Sequence, residues 1–198
     1  MSDDITTIRQ SQLDRLLRMA DEWDREKARS CQPVEQEAVV SCGINWCRIN
    51  PTLEMSSTPI TRIQWLDVMG TNPSYHKDGR MGCPVENVTY DQCVKFCERI
   101  GARLPTEAEW VEAIGTNYDP NSDTAWFGSA PDVVARRQAN QFGLYDMFGN
   151  VWEWCEGRVL RGGSFNLGTV NCRSAIRDWN DPDVRNFLVG FRVSRTVR

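Results

Sequence analysis

The chain has 198 residues and a formal net charge of −4 at neutral pH. This length suits one domain with a short extension and allows a single sizeable core. Lys and Arg form no basic run, and because phosphate contacts need clustered cations, we expect no nucleic-acid binding. The sequence has no apolar stretch of about 18 residues, so we also expect no membrane insertion.

The N-terminus, MSDDITTIRQSQ, lacks the charged and then apolar segments of a secretory signal. We therefore expect synthesis in the cytoplasm with mostly reduced thiols, and we leave open assembly into a viral particle or display at a surface. Eight cysteines are present. Cys93 and Cys97 lie one helical turn apart, which favours small buried residues over a disulfide. The spacing of Cys42 and Cys47 matches a zinc site only weakly.

Residues 1–30 are predicted to form an N-terminal extension of a domain at residues 31–198. A helix is predicted over residues 5–29 from apolar residues at helical spacing, namely Leu13, Leu16, Leu17, Ala20 and Trp23. This stripe is too short for a stable coiled coil, so packing on the chain's own domain and oligomerisation through the helix both stay open. Residues 30–60 have little periodicity and are expected to form loops and short strands.

Three helices are predicted in the middle of the chain. The segment TRIQWLDVMGTNPSY indicates a helix that ends at Gly70 and is followed by an Asn-Pro-Ser turn. Thr89 is expected to cap a second helix over residues 90–100. In the segment RLPTEAEWVEAI, Thr106 lies three residues before Glu109, which is the spacing of a capping box at the start of a third helix.

Residues 115–141 are rich in Asn, Asp, Ser, Pro and Gly and predict a long surface connection. In the next segment, NQFGLYDMFGNVWEWC, Trp152 and Trp154 alternate around Glu153, so we expect both to face the core from one side of a strand. The only histidine, His76, lies in the polar turn SYHKDG and is predicted to be exposed. One histidine cannot supply the several ligands of an iron site.

Residues 161–192 contain two kinds of position, and together they follow neither the period of a strand nor that of a helix. The first kind is typical of a tight, buried framework: the Gly162–Gly163 turn, residues 172–175, Arg177, Pro182, Asp183, Arg185 and residues 190–193. The second kind places large apolar residues beside Asn, Asp and Gly, and we name these eleven positions the variable face. They are Asn166, Leu167, Gly168, Ile176, Asp178, Trp179, Asp181, Val184, Asn186, Phe187 and Leu188.

The segments RLPTEAEW and NQFGLYDMFGNVWEWC resemble the formylglycine-generating-enzyme (sulfatase-modifying factor) family over about residues 61–195. The resemblance implies an α+β fold of the C-type lectin type, with little regular secondary structure. It also implies a structural calcium, because hard oxygen ligands on a Gly-containing turn suit Ca²⁺. By position, the calcium ligands are Asp146, Gly149, Val151 and Glu153. The alternative is that Asp146 caps a turn and Glu153 pairs with an arginine.

Enzymes of this family bind copper through two cysteines that follow the Gly-Gly-Ser turn. Here the same interval contains only Cys172, and Thr169 stands where a second cysteine is expected. A single thiol cannot form a two-coordinate thiolate site, so we expect no copper and no catalysis. An oxidase of the formylglycine-generating type, or a degenerate enzyme that uses Cys172, is the alternative.

The variable face resembles, more narrowly, the variable proteins of diversity-generating retroelements. These systems rewrite adenines, and an AAY codon for Asn can then become a codon for Asp, Gly, Ile, Val, Leu or Phe. Every residue type on the variable face fits this set except Trp179, which needs a different template codon. The resemblance implies a non-catalytic protein whose hypervariable surface binds a protein or glycan ligand on another cell or on a host surface.

Overall fold

The computed structural model of the protein describes residues 42–197. The predicted N-terminal helix, and the oligomerisation that it would mediate, lie outside the described residues. The division into residues 1–30 and 31–198 therefore stays a prediction.

The three predicted helices are present and each begins at a capping box. They are α1 (Arg62–Met69), α2 (Tyr90–Arg99) and α3 (Glu107–Ile114). In each box the side chain of a threonine accepts a hydrogen bond from the amide three residues on, and the Gln or Glu at that position accepts one from the threonine's amide. Helix α1 ends at Gly70, whose φ of 75° is left-handed. Local chemistry thus fixes where these helices begin and, for α1, where it ends.

Seven short strands form two sheets. The strands are β1 (Trp46–Asn50), β2 (Leu53–Ser56), β3 (Trp152–Cys155), β4 (Val159–Arg161), β5 (Arg177–Trp179), β6 (Val189–Phe191) and β7 (Ser194–Thr196). The first sheet has the order β1-β2-β7 and is antiparallel. The second has the order β5-β4-β3-β6, and within it only β3 and β6 pair in parallel. The predicted α+β class with little regular secondary structure is confirmed.

Aromatic side chains fill the core between the helices and the four-stranded sheet. Trp65 of α1 stacks on Phe96 of α2 with ring centroids 5.5 Å apart, and both rings meet Phe191 of β6 edge to face. Trp152 and Trp154 of β3 belong to the same buried cluster, as their alternation predicted. The sheet that carries residues 161–192 is therefore held rigidly from its inner side.

A buried ion pair joins β3 to the residue that follows β6. The guanidinium of Arg192 donates hydrogen bonds from Nε and Nη2 to the two carboxylate oxygens of Glu153, at 2.6 and 2.7 Å. The indole Nε1 of Trp110 donates a further hydrogen bond of 2.7 Å to Oε2 of Glu153. All three side chains are buried. A bidentate ion pair of this kind fixes the relative orientation of the two side chains. It therefore holds the backbone in place at the C-terminal end of residues 161–192.

Candidate binding face

Three parts of the variable face emerge from one end of the four-stranded sheet. Arg161, the last residue of β4, lies opposite Glu153 and also opposite Arg177, the first residue of β5. Val189, the first residue of β6, lies opposite Trp152, the first residue of β3. Residues 166–168, 176 and 186–188 therefore all leave or enter the sheet at the same end, although they are far apart in sequence.

None of the eleven residues of the variable face is buried. Trp179 is 61% exposed and Phe187 is 42% exposed, which is unusual for side chains of this size. Seven of the residues are exposed: Asn166, Gly168, Asp178, Trp179, Asp181, Val184 and Phe187. Four are half-buried: Leu167, Ile176, Asn186 and Leu188. The structure therefore places all eleven positions at the surface, while binding of a ligand by them stays a prediction.

The half-buried members of the variable face attach it to the core. Leu167, Ile176 and Leu188 pack from outside against the buried cluster that contains Trp65 and Trp154. Each keeps part of its surface open to solvent. Substitution of these three residues is therefore expected to affect stability more than substitution of the fully exposed positions.

The predicted buried framework is only partly correct. The Gly162–Gly163 turn, Cys172 and residues 190–193 are buried, as expected. The prediction is wrong for six residues, which are exposed: Arg173, Ser174, Ala175, Arg177, Asp183 and Arg185. Arg177 is exposed because β5 is an edge strand of the sheet, and all three residues of β5 are exposed. The other five lie in the connections before and after β5.

Two of the exposed arginines make polar contacts with residues outside 161–192. The Nε atom of Arg177 lies 3.0 Å from Oε1 of Glu107 on α3. Arg185 donates a hydrogen bond of 2.9 Å from Nη1 to the backbone carbonyl of Asn87. The buried thiol of Cys172 explains the glycine turn, because a Cβ at Gly163 would overlap its Sγ atom.

His76 lies in a loop, as predicted, but the prediction that it is exposed is wrong. Its side chain is half-buried, and Nδ1 lies 3.3 Å from the buried carboxylate of Glu86. The imidazole contacts the rings of Tyr75, Phe165 and Phe187, with centroids 5.3, 5.7 and 5.9 Å away. His76 is therefore part of an aromatic cluster that joins residues 72–77 to the variable face.

Tyr75 is a further surface residue that the sequence did not indicate, and it is 66% exposed beside the variable face. Its ring centroid lies 5.4 Å from that of Phe187. The Asn72-Pro73-Ser74 turn predicted a loop here, but no sequence signal shows that this loop meets residues more than a hundred positions later.

The predicted calcium ligands Asp146, Gly149 and Val151 lie on the buried turn that leads into β3. Oδ2 of Asp146 accepts a hydrogen bond of 2.8 Å from the amide of Ala135. Burial raises the pKa of Asp146 to about 6, because the carboxylate loses its hydration. Asp146 forms no salt bridge with any described residue, so a cation beside it would stabilise its ionised form.

Glu153, the fourth predicted ligand, does not fit this set. The bidentate contact with Arg192 already balances its charge, and Oε2 also accepts the hydrogen bond from Trp110. A divalent cation at Glu153 would meet the positive guanidinium at close range. The alternative expectation, that Glu153 pairs with an arginine, is confirmed. Calcium stays a prediction that rests on Asp146 and the two backbone carbonyls.

A family model described as the sulfatase-modifying factor enzyme 1-like domain matches residues 35–197. The chain belongs to this family. One relative within it is the inactive C-alpha-formylglycine-generating enzyme 2 of Bos taurus, which is 30% identical over 172 residues, or 68% of this chain and 56% of the relative. Other relatives at similar identity are named formylglycine-generating enzyme.

Solved structures extend the likeness to variable proteins. Treponema denticola variable protein 1 superposes with a TM-score of 0.66 and 26% identity, over 72% of this chain and 84% of its own length. The U1 variant of the major tropism determinant superposes with a TM-score of 0.57 over 81% of this chain and 54% of its own length, and at 15% identity it shows the fold alone. The predicted C-type lectin fold of the formylglycine-generating type and the resemblance to variable proteins are confirmed.

The sulfatase-modifying factor domain described here spans 24–57% of the length of the first curated relatives that it matches. Within residues 42–197, no helix is both long and apolar enough to cross a bilayer.

The thiol of Cys172, on which the enzymatic alternative depends, is buried. Burial raises its pKa to about 11, so only a small fraction is thiolate at neutral pH. Thr169, at the position expected for a second cysteine, is exposed. Nucleophilic attack and metal binding both need the thiolate, so this environment disfavours either use of Cys172.

Proposed function

We propose that this sulfatase-modifying factor domain is a non-catalytic protein that presents the variable face to a ligand. The observation that carries the proposal is the separation of the two kinds of position. All eleven residues of the variable face are exposed or half-buried, whereas the segments that flank them, residues 161–165 and 189–194, are buried. A stable framework with a solvent-facing set of side chains tolerates changes in that set, because exposed substitutions change stability little.

We further propose that a retroelement diversifies this face. The support is that ten of the eleven residues of the variable face, all except Trp179, are residue types that adenine-directed changes of an Asn codon would produce or leave unchanged. The prediction is a near-copy of the coding segment for residues 161–192 that differs at adenines and lies beside a reverse transcriptase gene. A complete genome that contains neither would overturn this part of the proposal.

The tolerance of the face is tested by substitution libraries. At Asp178, Val184 and Phe187, codons reachable from AAY are introduced together, and the fraction of variants that still fold is measured by proteolysis of displayed protein. We expect most variants to fold, since each exposed change should alter stability by no more than about 0.5 kcal/mol. The matched control is the same codon set at the buried positions Leu160 and Val189, where most variants should unfold. Equal losses in the two libraries would refute the proposal.

The proposed ligand is a protein or glycan on another cell or on a host surface. One structural neighbour is named a tropism determinant and has been solved in several variants, which supports recognition of an external partner. Assembly into a viral particle or display at a surface would bring the variable face to that partner.

An enzyme remains the alternative, because relatives named formylglycine-generating enzyme share the family. It is tested by adding copper and a cysteine-containing peptide and measuring oxygen consumption. We expect consumption no higher than that of the Cys172→Ser variant. Turnover that depends on Cys172 would replace the display proposal with an oxidase.

A further inference from the structure

We propose that the binding surface extends beyond residues 161–192 onto residues 72–77, where Tyr75 is an aromatic anchor outside the variable face. We name Tyr75, His76 and Phe187 the anchor patch. Its partner is a protein segment that carries an apolar side chain next to acidic residues. This inference rests on the proposed function, because it assigns a further part and a chemical class to the same binding site.

The anchor patch combines Phe187 of the variable face with two residues outside residues 161–192 in a single aromatic surface. Tyr75 has the largest exposed fraction among the large apolar side chains that the structure describes. Its ring and that of Phe187 are tilted by 39° with centroids 5.4 Å apart, and His76 packs against both. Exposed aromatic rings that support one another are typical of the residues that dominate protein interfaces.

Buried hydrogen bonds hold the anchor patch in place. The amides of Tyr75 and His76 donate to the two oxygens of Glu86, at 2.9 and 3.0 Å, and Glu86 is fully buried. Asn87 connects this loop to the variable face, because its side chain donates to the carbonyl of Pro73 and its amide donates to the carbonyl of Asn186. An anchor that is already ordered loses little conformational entropy on binding, which favours affinity.

The charges around the anchor patch indicate the chemistry of the partner. Lys77 and Arg185 donate hydrogen bonds only to backbone carbonyls, those of Asn72 and Asn87, and neither forms a salt bridge with a described residue. The charge of Glu86 is already opposed by the buried Arg62, whose Nη2 lies 3.7 Å away. Lys77 and Arg185 therefore lack a carboxylate partner among the described residues, and carboxylates on the partner would pair with them. The surroundings carry both signs of charge, because Asp181 and Asp183 are exposed in the same loop as Arg185.

The exposed apolar residues favour a protein over a glycan. Trp179, Val184 and Phe187 are all exposed and lie in one stretch of nine residues. Tyr75 and Phe187 are in contact and supply aromatic surface of the kind that is enriched in the centres of protein interfaces. A partner with an apolar side chain between acidic residues would contact this surface and pair with Lys77 and Arg185.

The test is selection of a yeast-displayed library of random linear peptides on the purified full chain. We expect the selected peptides to be enriched in Leu, Ile, Phe or Trp beside Asp or Glu. We also expect Tyr75→Ala and Lys77→Glu each to weaken their binding at least about tenfold. The control is Val111→Ala, which truncates an exposed apolar residue of α3 and should leave binding unchanged. Thermal unfolding of each variant shows that it remains folded.

The outcomes separate this inference from the proposed function. Peptides that depend on Trp179 but not on Tyr75, or that are enriched in Lys and Arg, would overturn the anchor patch and leave the variable face in use. Peptides whose binding depends on neither Trp179 nor Tyr75 would contradict both the anchor patch and the proposed function. Binding to an array of glycans, with no peptide selected, would overturn a protein partner even if it depended on Tyr75.

Discussion

Replacement of Asp146 by Asn tests how much the buried charge of Asp146 destabilises the turn before β3. In the wild type, the carboxylate is buried, has no salt bridge among the described residues, and has a pKa raised to about 6 by burial. Asn has the same shape, can accept the same hydrogen bond from the amide of Ala135, and tolerates the positive φ of 54° at this position. The substitution therefore removes the charge and little else.

The magnitude follows from the difference between the folded and unfolded pKa of Asp146. The folded value is about 6 and the ordinary value is 3.8, so the folded state binds more protons between these pH values. The free energy of unfolding then falls as the pH rises from about 4 to about 6, and above that range the ionised carboxylate destabilises the fold by ~3 kcal/mol, at 1.36 kcal/mol per pH unit. The Asn variant has no such penalty, so it should be more stable than the wild type at pH 7 and about equal at pH 4.

The assay is urea denaturation of both proteins at pH 4 and pH 7, with EDTA and with excess calcium. If calcium binds at Asp146, it should stabilise only the wild type at pH 7 and reduce the advantage of Asn. Asp123→Asn, which changes an exposed aspartate, is the control and should have little effect. If the wild type and the Asn variant are equally stable at pH 7 in EDTA, the ionised carboxylate of Asp146 does not destabilise the fold and the reasoning is refuted. If calcium does not change the stability of the wild type, the prediction of a calcium site at Asp146 is wrong.

Three further predictions follow from buried contacts. Glu153→Gln leaves Arg192 buried without a counter-charge, and we expect urea denaturation to show a loss of about 3–5 kcal/mol; a loss below about 1 kcal/mol would contradict the importance of this pair. Gly163→Ala places a Cβ against the thiol of Cys172, at a residue whose φ is 76°, so it should destabilise the fold by more than ~2 kcal/mol. If the overlap is the cause, adding Cys172→Ala to this variant should recover part of the loss. Because Cys172 is buried and its pKa is raised to about 11, mass spectrometry should show at least about tenfold slower alkylation in the folded protein than in urea, and equal rates would contradict its burial.

The helices could be predicted from the sequence because their signals are local. A capping box is complete within four residues, so Thr89 and Thr106 identify the starts of α2 and α3 without knowledge of the fold. Gly70 ends α1 in the same way, through its own backbone preference. The alternation of Trp152 and Trp154 also gave the inward face of β3 correctly.

The site was less predictable because its contacts join distant residues. His76 lies in a polar turn, and its partial burial depends on Phe187, which is more than a hundred positions later. Arg177 was expected in a buried framework, but β5 pairs with β4 alone, which leaves Arg177 on an edge strand. Which arginine would pair with Glu153 became clear only from the parallel pairing of β3 with β6. Periodicity within a short segment does not contain this information.

The order of the second sheet also sets a minimum length for the connection between β5 and β6. Strands β5 and β6 run in the same direction and form opposite edges, so residues 180–188 must cross three strand spacings, about 14 Å, and return along the sheet. Fully extended, these nine residues span about 30 Å. The connection therefore has slack, and each doubling of its length would cost only about 0.6 kcal/mol. Insertions here, and not only substitutions, are a route by which the surface of this protein can change without loss of its fold.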